Sequence, residues 1–341
     1  MRNDKLFFCV TCSSYFDIVS DGMVCGSCGT SVSLIDGVPV FAKDIYWGKV
    51  PEDELKKVIA FIDKQGFIAL DAATLKKLDF TYHEDRADFR FYVPLSENST
   101  VLDIGAGLGR ITVPLARVCK RVVACDQSLS RMRLLSQRVK SEGLSNVDVF
   151  VGDIFNLPLR ENSFDLIVMN GVLEWVGLTD MYDDPREAQI KSLEICKKLL
   201  KDGGHLYVGI ENRFALVYVR AKDHGGLRFT SYMPRRVADI YSRVFGGKPY
   251  RTYTYSQDGY EKLFQSAGFS MAPNFYLLYP GYNVPRIIAP YENIQAFRYL
   301  IRMFKSPNTI IGKFIYYVAS LPLFIHVYRF FFFSFGIIVK K

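Results

Sequence analysis

The sequence predicts an α/β protein: a doubly wound, mostly parallel sheet of seven strands, preceded by a small cysteine-rich module and interrupted near its end by a basic, aromatic insertion. Three observations predict it. Short apolar runs at residues 101–103, 122–125, 147–151, 166–169 and 205–210 alternate with stretches of helical period such as 129–140 and 188–200. Strands alternating with helices in this way build parallel βαβ units. The first run enters a glycine turn, Gly105-Ala106-Gly107-Leu108-Gly109, and two Cys-x-x-Cys pairs stand near the N-terminus.

The chain has 341 residues, 49% hydrophobic and 23% charged, which excludes global disorder and gives room for one large domain with additions. Residues 1–42 read as short β segments and turns, and 43–95 as mainly helical, with Leu55, Val58, Ile59 and Ile62 at helical spacing after Pro51. Residues 96–290 hold the α/β core with an insertion at about 211–256, residues 291–334 a second insertion, and residues 335–341 the last strand, expected to pair with a sixth at 269–278. The net charge of +8 sits almost wholly beyond residue 280, where eight basic residues face Glu292 alone. The opening residues lack the pattern of a secretory signal, and the cysteines are used as in a reducing compartment, so a cytoplasmic protein is expected.

Cys9, Cys12, Cys25 and Cys28 form two knuckles with 12 residues between them. That gap lets four thiolates surround one Zn²⁺ tetrahedrally. Four protein ligands leave no open position, so the site is expected to be structural. Cys119, Cys125 and Cys196 lie in apolar stretches and read as small hydrophobes.

The glycine turn after residues 101–104 lets backbone approach a ligand with no Cβ in the way. A glycine turn alone also suits dinucleotides. Asp103 decides between them: a carboxylate at the strand end repels a pyrophosphate but suits a ligand carrying an ammonium and a sulfonium, as S-adenosylmethionine does. Gly105, Ala106, Gly107 and Gly109 would line it. Asp126, at the tip of the second strand and followed by Gln127, would accept from ribose hydroxyls. Asp153 would accept from the adenine amino group, with Ile154 against the ring. Asn170 opens the segment after the fourth strand, which would flank the methionine part.

These elements, followed by Phe164-Asp165 and the turn Leu199-Leu200-Lys201-Asp202-Gly203-Gly204, resemble in order and spacing a class I methyltransferase core of the type 11 kind, with a Rossmann-like fold. The resemblance covers residues 101–210 and implies an S-adenosylmethionine-dependent enzyme. No Asn-Pro-Pro-Tyr or Asp-Pro-Pro-Tyr follows the fourth strand, which argues against methylation of base amino groups. The segment Asp36-Gly37-Val38-Pro39-Val40-Phe41 resembles the end of zinc ribbons found beside several methyltransferases, some of which act on RNA.

The insertion carries Asp223-His224, Arg228, Arg235, Arg236 and the tyrosine-rich stretch 250–255, a set suited to a polar or phosphorylated acceptor. Its Asp223-His224 pair, Glu211-Asn212-Arg213-Phe214, the 250–255 stretch and Arg86-Ala87-Asp88-Phe89 resemble methyltransferases of surface-glycan assembly. For a hydroxyl acceptor His224 is the expected general base, oriented by Asp223, with Glu174 as the other candidate. The arginines are candidates to grip a phosphate.

In the second insertion Ile294, Phe297, Leu300, Ile301 and Phe304 share one helical face, and Arg298, Arg302 and Lys305 the other. The charge-free stretch 314–328 is short for a membrane span. A helix lying in a lipid headgroup layer, on the inner face of the cell membrane, is the expectation; an apolar cap on the core is the competing one. Together the readings point to O-methylation of a sugar or phospho-sugar in a glycan or its lipid-linked precursor. The rivals are an RNA methyltransferase, disfavoured because residues 1–42 hold only Arg2 and Lys5 as basic groups, and a scaffold that binds S-adenosylmethionine without turnover.

Overall fold

The computed structural model describes residues 6–20, 22–46, 50–78, 84–303, 310, 313–314, 317–318 and 321–341. The chain divides into two compact units, Met1–Val168 with Ile195–His205, and Met169–Glu194 with Leu206–Lys341.

The first unit opens with an antiparallel ribbon of four strands, β1 (Phe16–Val19), β2 (Gly22–Cys25), β3 (Ser31–Ile35) and β4 (Val38–Val40). Helix α1 (Glu52–Gln65) and the short α2 (Ala72–Lys77) follow. Leu55, Ile59 and Ile62 form the stripe that α1 buries, in one cluster with Leu134. Its first turn is acidic, which suits the positive end of the helix dipole, and Gly66 closes it at φ +83°.

The α/β repeat then runs through β5 (Thr100–Ile104), α3 (Thr112–Ala116), β6 (Arg121–Asp126), α4 (Leu129–Ser141), β7 (Val147–Val151) and β8 (Phe164–Asn170). Val101 pairs with Val122, and Val122 with Val147, all in parallel register. Val101, Leu102, Val122, Val123 and Ala124 are wholly buried, as strands covered on both faces require. Ser128 caps α4 by accepting from the Arg131 N–H.

The sequence predicts seven strands in all; this unit alone orders eight, β1-β2-β3-β4-β7-β6-β5-β8. The ribbon joins the sheet: β4 pairs in parallel with β7 through Val40 and Val151, covering an edge that would otherwise stand open. Val38 enters the core cluster of Ala124, Met132, Leu135 and Val151, and Phe7 meets Phe150 edge-on with ring centroids 5.3 Å apart. The ribbon therefore shares the core of this unit.

Helix α5 (Pro185–Leu199) and β9 (Leu200–Glu211) follow β8, and all three pass from one unit into the other. The Asp202-Gly203-Gly204 turn lies inside β9. A Cβ on Gly204 would sit 2.9 Å from the Lys201 carbonyl oxygen, so only glycine fits there.

In the second unit α6 (Arg235–Gly246) and α7 (Gln257–Ser266) precede β10 (Asn274–Tyr279), β11 (Ile287–Pro290), α8 (Ile294–Met303), α9 (Pro322–Phe330) and β12 (Ser334–Lys340). The strand order is β9-β12-β10-β11. The expected final hairpin pairing is present, antiparallel, with Phe275 opposite Ile337.

The apolar stripe of α8 is not a lipid-facing surface. Phe297, Leu300 and Ile301 are buried. Phe297 stacks on Tyr328 of α9 at 6.0 Å and meets Phe332 edge-on at 5.5 Å. Arg329, the charge that ended the apolar stretch, donates to the Tyr291 carbonyl at 2.8 Å and lies over the Tyr291 ring. Phe304 and Lys305 fall outside the described residues. Among the described residues, no helix is long and apolar enough to cross a membrane.

Candidate functional site

The four cysteines of the ribbon come together. Cys9 Sγ lies 3.5 Å from Cys28 Sγ, and Cys12 Sγ 3.3 Å from Cys25 Sγ, with all four sulfurs within 4.8 Å of one another. Tetrahedral Zn–S bonds of about 2.3 Å place sulfurs roughly 3.8 Å apart, so this donor set fits Zn²⁺. Each knuckle is closed by its own turn: Ser13 N–H donates to the Cys9 carbonyl and Gly29 N–H to that of Cys25. Both turn residues are left-handed, Ser13 at φ +57° and Gly29 at φ +74°. The second knuckle places glycine in that conformation, the residue that adopts it freely; the first carries serine.

At the end of β5 the chain builds a polar cradle. Asp103 is 2% exposed, and its carboxylate accepts from the Thr112 hydroxyl at 2.6 Å. Burial pushes its carboxyl up to about 6. The turn is fixed by Gly105 and Ala106, whose N–H groups both donate to the Cys125 carbonyl. Gly105, Gly107 and Gly109 have φ of +71°, +56° and +80°. Gly109 is needed for packing, since a Cβ there would stand 2.3 Å from Leu135 Cδ1. Around Gly107 the space is open, so glycine answers to conformation and to whatever approaches the turn.

Asp126 accepts from Gly107 N–H at 3.1 Å and Ser128 N–H at 3.0 Å, which ties the second strand tip to the turn. Arg131 stands 3.4 Å from the same carboxylate. Asp153 accepts from Phe155 N–H at 3.0 Å and opens a 3-10 turn that starts at Ile154. Gln127 is half-buried, and its carbonyl accepts from Ile45 N–H. Thus Asp103, Gly105, Ala106, Gly107, Gly109, Asp126, Gln127, Asp153 and Ile154 all belong to the first unit, on consecutive strand ends. Thr112, Ser128 and Arg131 support them and carry no signal of that role in the sequence. Asn170 belongs to the second unit and is buried; a Cβ on Gly209 would stand 2.0 Å from its Oδ1.

A buried carboxylate beside a tight turn with an uncrowded glycine fits S-adenosylmethionine. Asp103 would take its ammonium side, Asp126 its ribose, and Asp153 with Ile154 its adenine. When bound, the sulfonium supplies an activated methyl group.

The second unit holds a cluster of acid–base groups. His224 Nε2 lies 3.0 Å from Glu211 Oε1 and 3.9 Å from Glu174 Oε1. Glu174 is wholly buried, and Tyr282 OH donates to it at 3.4 Å. Burial, helped by the charge on Glu211, pushes the Glu174 carboxyl up to about 8. For His224 burial acts downward, but the Glu211 and Glu174 carboxylates outweigh it and hold the imidazole up to about 9. Trp175 meets His224 edge-on at 4.7 Å. A cavity of about 380 Å³ opens beside the cluster, bordered by Glu211, His224, Tyr218, Lys222, Tyr282 and Asn283.

The cluster bears on two expectations. The carboxylate on His224 is Glu211, not Asp223, whose own carboxylate accepts from Gly225 N–H and the Thr230 hydroxyl and so holds its loop. The neighbouring carboxylates favour the imidazolium form of His224 over the neutral base expected, as long as no cation takes its place. Glu211, an acid at the end of a strand, was visible in the sequence; Tyr282, far along the chain, carried no signal.

The arginines also divide. Arg235 donates to the Thr254 carbonyl and lies over the rings of Tyr250, Tyr253 and Tyr255. Arg251 donates to the carbonyls of Gly177, Thr179, Tyr182 and Asp183. Both are staples of the insertion. Arg228 and Arg236 are exposed.

Residues 102–208 match the family model of a methyltransferase domain. This segment is a class I, S-adenosylmethionine-dependent methyltransferase domain. Among curated proteins, phosphoethanolamine N-methyltransferase 1 of Caenorhabditis elegans is 36% identical over 93 residues, 27% of this chain and 19% of that protein. Demethylmenaquinone methyltransferase of Paenarthrobacter aurescens is 34% identical over 108 residues, 32% of this chain and 37% of that protein. The chain thus spans well under half the length of these relatives. Among solved structures, a SAM-dependent methyltransferase from Aquifex aeolicus has a TM-score of 0.44 at 16% identity, covering 86% of this chain and 99% of that one.

Proposed function

We propose that the whole chain methylates a hydroxyl of a sugar or phospho-sugar, in a surface glycan or its lipid-linked precursor. The observation that carries this reading is the buried Glu174–Glu211–His224 cluster beside a cavity whose wall includes Lys222, Tyr282 and Asn283. In O-methylation the acceptor O–H bond breaks, a C–O bond forms, and the C–S bond breaks to leave a neutral thioether. The acceptor's proton needs a partner, and a cluster of two carboxylates and one imidazole supplies it. Glu211 borders the cavity and is the group placed to accept. His224 and Glu174 then share the proton and orient it. Lys222 and Asn283 on the cavity wall suit a hydroxylated or phosphorylated acceptor.

The division of labour is part of the proposal: the first unit binds S-adenosylmethionine and the second binds the acceptor. So is work at the cytoplasmic face of a membrane. With the α8 stripe buried, that contact would fall to the exposed side chains of the same insertion, Phe314, Tyr317, Phe324 and Val327, beside Lys313.

The test is transfer of labelled methyl from S-adenosylmethionine into extract of the source cells, separated into RNA, lipid-linked glycan, free glycan and small molecules. Label in either glycan fraction, lost in Glu211→Gln, is the expected result. Label confined to RNA or to an amine overturns the acceptor proposed here.

A further inference from the structure

Glu174, Glu211 and His224 arrive from three separate stretches of chain: the segment after β8, the end of β9 and the insertion. One ligand atom of each lies within 4.8 Å of the others. Their mutual bonding is poor. Glu174 Oε2, Glu211 Oε2 and His224 Nε2 are buried and lack a hydrogen-bond partner among the described residues. The His224–Glu211 contact is close, at 3.0 Å, yet lies outside hydrogen-bond geometry. Glu174 is 0% exposed, so its free oxygen has no route to bulk water. A buried carboxylate oxygen without a partner is costly and asks for a cation or a donor.

We propose that Glu174, Glu211 and His224 bind a divalent cation of the Mn²⁺ or Zn²⁺ class, separate from the zinc of the ribbon. The inference rests on reading this cluster as the acceptor site. Metal–ligand bonds of about 2.0–2.2 Å put ligand atoms roughly 3 Å apart when adjacent and just over 4 Å apart when opposite. The observed 3.0 and 3.9 Å lie in that range. One imidazole and two carboxylates form the donor set such ions accept, and it leaves coordination positions open. Charge also balances: two protons or one divalent cation neutralise the same pair of carboxylates. With the cavity beside Glu211 and His224, an open position would face the acceptor, and the cation's charge would make its hydroxyl more acidic.

The test uses the full chain with its ribbon loaded with zinc, titrated with Mn²⁺ and followed by electron paramagnetic resonance. Mn²⁺ prefers oxygen and imidazole over thiolate, so it reports this cluster and not the ribbon. One Mn²⁺ per chain is expected, weakened at least 10-fold in Glu211→Gln and in His224→Ala, with zinc content and circular dichroism unchanged. Absence of saturable Mn²⁺, or a site that both variants leave intact, overturns the inference. Methyl transfer and S-adenosylhomocysteine binding by the same samples separate the two readings. Transfer that persists undiminished in chelator-treated protein leaves the acid–base function standing and refutes the metal. Mn²⁺ bound at the cluster with no transfer to any glycan supports the metal and refutes the acceptor.

Discussion

Asp103→Asn should make the ligand-free protein more stable and its S-adenosylmethionine binding worse. The carboxyl of Asp103 is fully buried and raised from its usual 3.8 to about 6. At about 1.4 kcal/mol per pH unit, the ionised group withholds about 3 kcal/mol from the folded state. Because the folded value is the higher one, the stability that the protonated carboxyl contributes is fully present below pH 3.8 and is lost as pH rises through about 6. The amide has no charge to desolvate, and the Thr112 hydroxyl can still bond it. Urea unfolding of both proteins from pH 4 to 8, without ligand, should show the variant ahead by about 3 kcal/mol at pH 7, with the gap closing toward pH 4. Whatever low pH does to the ribbon thiolates it does to both proteins alike, so the difference between them is the readout. Calorimetry should show affinity for S-adenosylhomocysteine reduced roughly 10- to 100-fold, the worth of a charge-assisted bond. A gap independent of pH, or a variant less stable at pH 7, refutes the reasoning that a buried charge is kept here for a cationic ligand.

Three further outcomes follow from the packing. Metal analysis of the purified chain should give one tightly held zinc, absent in Cys12→Ser; since the ribbon shares the core of the first unit, its loss should lower the melting temperature of that unit and not only fray the N-terminus. Gly109→Ala brings a methyl group to 2.3 Å from Leu135 at a left-handed φ, and should cost about 3 kcal/mol in chemical unfolding. Arg251→Ala strips four backbone carbonyls of their donor and should expose the loop at residues 177–183 to limited proteolysis, at a cost of about 2 kcal/mol.

How much of this was legible in the sequence differs by kind of interaction. The parallel core was, because each strand is a continuous apolar run and each strand end carries a polar residue or glycine that a buried strand would not tolerate without use. The four-cysteine set was legible from spacing alone. What the spacing could not supply was partnership across the chain. Asp223 precedes His224, and adjacency suggested that one orients the other; in the fold successive side chains of that loop diverge, and His224 meets Glu211 from the end of β9. The arginine-rich insertion looked like a phosphate grip because a guanidinium that binds anions and one that binds backbone carbonyls have the same letter. Pairing β4 with β7 was hidden for a similar reason: an edge strand carries no mark of what will cover it.

The helix at residues 294–303 tests this distinction most directly. Its apolar stripe and basic face fit a lipid surface and a packed cap equally, since amphipathicity reports only that one face avoids water. The structure fills that face with protein: Phe297 is wholly buried between Tyr328 and Phe332, with Leu300 and Ile301 beside it. Phe297→Ser should therefore act on folding. Removal of a buried phenylalanine ring costs about 3–5 kcal/mol, and the new hydroxyl would lack a partner. The variant should unfold at much lower urea, while on the membrane contact proposed above its folded fraction should float with anionic vesicles to the same extent as the parent. Phe314 and Tyr317, 66% and 65% exposed, should behave in the opposite way. Changing both to Ser should leave urea unfolding within about 0.5 kcal/mol of the parent, as exposed sites generally do, and reduce flotation. If Phe297→Ser leaves stability intact and abolishes flotation, the stripe faces lipid and the packing described for α8 and α9 is wrong.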